Sequence, residues 1–168
     1  MGERKENESV SGKNPTTVER VSDRDLVVTR TFNAPSRLVY AAWTKPEHFS
    51  RWWAPKSSGL TILSCEMDVR VGGGYRIEFG HPASERPMVF FGKYVEVEPN
   101  ARLVWTNEEG DGGPVTTVTF EENDGKTLLV LSERYPSKEA LDHAYEGMEG
   151  GAPEQFEQLD DFLLTMKS

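Results

Sequence analysis

What this chain can fold into is set by the order of its periodic segments. Residues 61–134 supply strand after strand with short connections. Only the residues beyond Ser137 offer a helical apolar stripe broad enough to cover the sheet those strands would make. The strand candidates are 61–68, 75–79, 88–97, 102–107, 115–121 and 127–134. Gly72-Gly73-Gly74, Pro99-Asn100, a turn over 110–114 and Asn123-Asp124-Gly125 punctuate them. Strands so closely joined form an antiparallel meander. Tyr75, Ile77 and Phe79 alternate with Arg76 and Glu78, which gives that strand one apolar face. The segment 88–97 is less regular. Phe91, Val95 and Val97 share one parity with Lys93, while Phe90 and Tyr94 share the other with Gly92 and Glu96, so a bulge near Gly92 is expected. Residues 81–87 read as a loop.

Upstream, LVVTRTF at 26–32 is rich in β-branched residues and reads as a strand, although Arg30 interrupts its apolar parity. Pro35 suits the start of a helix whose stripe is Leu38, Val39, Ala42 and Trp43, and Pro46 starts a second short helix to about residue 51. At the other end Ser137 is a fair N-cap, followed by Leu141, Ala144, Tyr145 and Met148 at helical spacing. Gly150-Gly151 weakens that pattern and Pro153 suits a restart. Phe156, Leu159, Leu163 and Met166 then form one stripe, with Glu154, Glu157, Asp160 and Asp161 loading the opposite face. The fold class is therefore α+β: a curved antiparallel sheet of six to seven strands around a long C-terminal helix, with two short helices after the first strand. A bent sheet cannot close evenly against one helix, so a cavity is expected between them, lidded by the short helices. Residues 1–24 are polar and lack apolar period, which predicts a disordered tail before a single domain over 25–168.

Charge narrows the function classes. Acidic residues outnumber basic ones, 28 to 19, for a formal charge of -9, so phosphate backbones and anionic lipid surfaces are repelled and neither nucleic acid nor membrane is an expected partner. No apolar run approaches the roughly 20 residues of a membrane helix. Cys65 is the only cysteine. The N-terminal ten residues lack the apolar centre of a signal peptide, so a cytoplasmic location is expected. His48, His81 and His143 are scattered without ligand spacing, so no metal is expected. The glycine triplet leads into a strand, whereas a phosphate cradle needs a helix N-terminus. No nucleophile motif is present, and neither a catalytic residue nor a cofactor is assigned.

Candidate binding residues follow from the architecture. Trp43, Trp52 and Trp53 either ring the cavity mouth or pin the short helices onto the sheet. Tyr75, Ile77, Phe79, Phe90, Phe91 and Trp105 are expected on the concave face, and Met148, Phe156 and Leu159 on the helix opposite. His48 and Glu66 are the polar cavity candidates, and Glu133, Arg51, Arg70, Arg76 and His81 are further polar residues with surface or structural roles open to them.

The segments NAPSRLVYAAWTKPEHFSRWWAP, DVRVGGGYRIEF, GKYVEVEPNARLVWT and GMEGGAPEQFEQLDDFLL, in this order, resemble the SRPBCC (START-like, Bet v 1-like) superfamily. Within it they are most similar to the branch named after the C-terminal domain of the activator of Hsp90 ATPase, over about 25–166. The resemblance implies a helix-grip fold and a range of activities. The leading expectation is a small hydrophobic or aromatic molecule bound between sheet and helix. The alternatives are a co-chaperone-like interaction module and a cyclase or hydrolase acting in the same cavity. A chaperone contact and a homodimer through exposed strand edges are the other partners weighed.

Overall fold

The computed structural model describes residues 14–108 and 113–167. Its strands are β1 Thr17–Arg20, β2 Asp25–Phe32, β3 Thr61–Met67, β4 Gly74–His81, β5 Ser84–Glu98, β6 Arg102–Thr106, β7 Val115–Asn123 and β8 Lys126–Arg134. The α-helices are α1 Ser36–Thr44, α2 Pro46–Phe49 and α3 Lys138–Lys167, with a 3-10 turn at Lys56–Ser58. All eight strands make one curved antiparallel sheet in the order β1-β2-β8-β7-β6-β5-β4-β3. The α+β class and the grip of sheet on helix are those expected. The eighth strand comes from the segment expected to be disordered.

That segment is corrected over Thr17–Arg20. These four residues pair antiparallel with β2, from Thr17 opposite Thr29 to Arg20 opposite Leu26. Val18 packs against the core, and Arg20 reaches Asp142 of α3 at 2.6 Å. So short a strand, half of it charged, leaves too faint an alternation to separate from a tail, and its order comes from the neighbour it pairs with. Residues 1–13 of the expected tail lie outside the described residues.

Helix starts follow their prolines. The carbonyl of Pro35 accepts the amides of Leu38 (3.0 Å) and Val39 (3.2 Å), and Glu122 of β7 accepts the Ser36 amide at 2.8 Å. Both satisfy first-turn donors that have no partner within the helix. Pro46 opens α2 at its first position, where its missing N–H costs nothing. The β7–β8 hairpin turns on Asp124 and Gly125, with φ of 57° and 77°, the left-handed pair that a two-residue turn demands.

The helix expected to falter at Gly150-Gly151 and restart at Pro153 runs unbroken as α3. Tertiary contacts outweigh the local propensities here. The segment after α2 is laced to the middle of α3. Gln155 donates to the Trp53 carbonyl (2.5 Å), Gln158 donates to the carbonyls of Trp52 and Ala54 (both 2.9 Å), and Glu154 accepts from the Ser57 amide (2.9 Å). The segment 81–87, expected as a loop, is largely a tight hairpin in which β5 begins at Ser84, opposite His81.

Asp160 also departs from expectation. It is placed on the solvent face by charge, yet it is buried and faces the sheet, where it pairs with the guanidinium of Arg30. Arg30 likewise keeps the inward parity of Leu26, Val28 and Phe32. Its other terminal nitrogen donates to Thr16 Oγ1 at 2.8 Å. Each charge supplies the partner without which the other could not be buried.

Candidate functional site

The concave face of the sheet meets α3 unevenly, and the difference begins with Trp43. It lies on the inner stripe of α1, and its ring sits 4.8–6.3 Å from those of Phe49, Trp52, Trp53, Trp105, Phe120 and Phe156. Most of these contacts are edge-to-face, the arrangement the ring quadrupoles favour. Trp52 is fully buried and donates its indole N–H to the Ala42 carbonyl at 3.0 Å. Leu159 and Phe156 close the packing from α3.

Beside this cluster is a small inner cavity of about 40 Å³, walled by Trp43, Phe49, Trp53, Met67, Tyr75, Ile77, Phe90, Tyr94, Trp105 and Asn107. A wider one of about 300 Å³ lies between the sheet and the first half of α3. The sheet contributes Val28, Phe79, Phe90, Leu131 and Glu133 to it, the residue after β8 Tyr135, the helix Met148, Ala152, Gln155 and Phe156, and the segment after α2 Trp53, Ala54, Pro55 and Leu60. Asn107 and Pro114 complete the wall. Trp53, Phe90 and Asn107 border both spaces, so the two adjoin. Phe90 is 38% exposed and marks the outer edge.

One wall is polar and internally bonded. The Tyr75 hydroxyl lies 2.7 Å from the Thr106 carbonyl and 3.1 Å from Asn107 Oδ1. Asn107 Nδ2 donates to the Pro114 carbonyl (2.7 Å) and to Thr116 Oγ1 (3.0 Å). Glu133 accepts from Thr116 (3.1 Å) and from the Tyr135 hydroxyl (2.7 Å). Burial and the adjacent Glu133 carboxylate push the Tyr135 phenol well above its ordinary range, so it stays a neutral donor. Burial does the same to Tyr94. This run of side chains reaches across the sheet from β4 to β8 and fixes the orientation of the rings next to it.

The structure brings Trp43, Trp53, Tyr75, Ile77, Phe79, Trp105, Met148 and Phe156 to the walls of the two cavities. Trp52 and Leu159 it places in solid core. Phe91, Glu66 and His48 are corrected. On β5 it is Phe90 that pairs with Ile77 and faces inward, and Phe91, opposite Arg76, points to the convex surface. The bulge expected near Gly92 falls between Tyr94 and Glu96. Gly92 serves a different need: a Cβ there would lie 1.9 Å from the Thr106 carbonyl oxygen. Glu66 sits between Cys65 and Met67, and since Met67 faces the inner cavity, alternation turns Glu66 outward to a shallow groove beside Phe91 and Lys93. His48 packs its ring 5.4 Å from Phe162, away from both cavities. Sequence reasoning missed Tyr94, Asn107 and Tyr135 as wall residues, and it put Phe90 and Phe91 on the concave face together without separating them. Tyr94 was within reach, because it shares parity with Phe90 across Gly92. Asn107 carried no signal of its own.

Among the described residues no three His, Cys, Asp or Glu side chains converge as metal ligands, and no helix is long and apolar enough to cross a membrane. Burial and the neighbouring Glu66 carboxylate push the Cys65 thiol up to about 11, which suppresses its nucleophilic form.

Comparison with known proteins places this geometry. Similar solved structures include a Rhodobacter sphaeroides protein with a TM-score of 0.81 at 23% identity, covering 89% of this chain and 98% of that one. A Chromobacterium violaceum protein has a TM-score of 0.71 at 27% identity and covers 83% and 97%. The AHSA1-like protein of Aeromonas hydrophila has a TM-score of 0.67 at 19% identity and covers 84% and 94%. No curated protein matches. Residues 33–163 match the family described as Activator of Hsp90 ATPase homolog 1-like protein. With that match spanning most of its length, on a fold shared with these structures, the chain belongs to the AHSA1-like family.

Proposed function

We propose that this protein binds a small apolar or aromatic molecule between the concave sheet and the first half of α3. The observation that carries the reading is the cavity of about 300 Å³, at the lower end of the size of small-molecule sites, lined largely by rings and aliphatic side chains. Apart from the small inner cavity that it adjoins, the rings around Trp43 pack against one another, so this hollow is a local feature of the fold. Its polar wall is bonded within itself, which suits orienting a guest more than attacking it.

Thermal unfolding with a panel of naphthyl, flavonoid and long-chain lipid probes tests the reading. At saturating concentration at least one class raises the midpoint by several degrees, because a ligand that binds only the folded state stabilises it by mass action. A flat response across the panel, together with unchanged tryptophan emission, overturns the proposal.

A further inference from the structure

Charge along the walls of the wider cavity narrows what it can take. Among the described residues that line it there is no Lys, Arg or His, and Glu133 is the one carboxylate. Two hydroxyls of buried residues hold that carboxylate in place. Thr116, 1% exposed, donates to one of its oxygens, and Tyr135, 5% exposed, donates to the other.

The amide donors of this wall are committed as well. Asn107 Nδ2 donates to the Pro114 carbonyl and to Thr116, and Gln155 Nε2 donates to the Trp53 carbonyl. What these two amides have left to offer a guest is oxygen, which accepts. A guest carboxylate would lose its water, meet no cation on the wall and face Glu133. The indole N–H of Trp53 is a neutral donor and does not balance that charge. A guest ammonium loses water too, but it meets a carboxylate and the rings of Trp53, Phe79, Phe90 and Phe156, whose faces attract a cation. The formal charge of -9 on the whole chain draws the same sign of ligand from solution.

Resting on the binding reading above, we infer that the guest is an organic cation: an aromatic or apolar amine, protonated at neutral pH, whose ammonium group sits against Glu133 while its body fills the space between the sheet and α3. Carboxylic acids of the same shape, fatty acids included, are excluded by charge.

Equilibrium dialysis of the full chain at neutral pH against 2-naphthylmethylamine, 2-ethylnaphthalene and 2-naphthoate compares a cation, a neutral molecule of matching shape and an anion. The amine is expected to bind about fivefold tighter than the hydrocarbon, or more, and about tenfold tighter than the acid, or more. In Glu133→Gln, which keeps the shape and an acceptor oxygen, the ratio of amine to hydrocarbon affinity falls toward one. Glu121→Gln, an exposed acid outside the cavity, leaves the ratio as it was. If the hydrocarbon binds and the amine gains nothing over it, if the acid binds tightest, or if Glu133→Gln keeps the full ratio, this inference fails while the cavity reading stands. If none of the three binds, both fail. Should Glu133→Gln not fold, dialysis of the unsubstituted protein in about 0.5 M salt decides: an ammonium held inside the cavity keeps its advantage, and one drawn only by surface charge loses it.

Discussion

The two halves of α3 face the same sheet and do opposite things. Beyond Phe156, which still borders the hollow, its second half presents Leu159, Phe162 and Leu163 and seals against β2 and α1 with no side chain of the three more than 9% exposed. Its first half presents Met148 and Ala152 and leaves the hollow. The backbone geometry is the same unbroken helix throughout. A cavity here is therefore a matter of side-chain volume at two inward positions, and it needs no special loop or strained segment.

That contrast can be broken by substitution. On the sealed side, Trp43→Ala should cost about 3–5 kcal/mol, measured by denaturant unfolding, since it empties the centre of a seven-ring cluster. Asp160→Ala should cost about 3 kcal/mol, because Arg30 stays buried without its carboxylate. The paired change Arg30→Met with Asp160→Leu should restore most of that loss. On the open side, Met148→Ala should cost about 1 kcal/mol, because the side chain already borders empty volume. A cost equal to that of Trp43→Ala would erase the distinction. Ala152→Leu sharpens it further. With room beyond the methyl group, unfolding free energy should move by less than about 1 kcal/mol, while affinity for a naphthyl probe falls at least tenfold.

The smallest expected effect concerns Cys65. With its pKa raised to about 11, a disulfide reagent at pH 8 should modify it far more slowly than it modifies the same thiol in the unfolded chain. The fold disfavours the thiolate. Its contribution to stability is whole below the ordinary thiol range and lost as pH climbs through about 11. Rapid modification at pH 8 would show that the segment opens readily.

Much of this was legible in the residues. Proline positions placed both short helices, alternation on 75–79 placed three wall residues, and the final apolar stripe placed the helix they face. What stayed hidden depends on partners distant in the chain. Asp160 reads as a solvent acid until Arg30, 130 residues earlier, is seen to need it. Thr17–Arg20 becomes a strand only beside β2. Phe90 and Phe91 are adjacent and chemically equal, and only the register with β4 decides which of them faces inward. Asn107 joined the wall through bonds to Tyr75 and Thr116, on strands no local pattern connects to it.

The junction of β2 with β8 has a practical corollary. The family match begins at residue 33, just past the end of β2. A fragment trimmed to that boundary would discard β1 and β2, strip β8 of one of its two neighbours and deprive Asp160 of its cation. Its newly bared ladder of amides and carbonyls would offer a template for other chains, so such a fragment should precipitate or self-associate where the longer protein stays monodisperse.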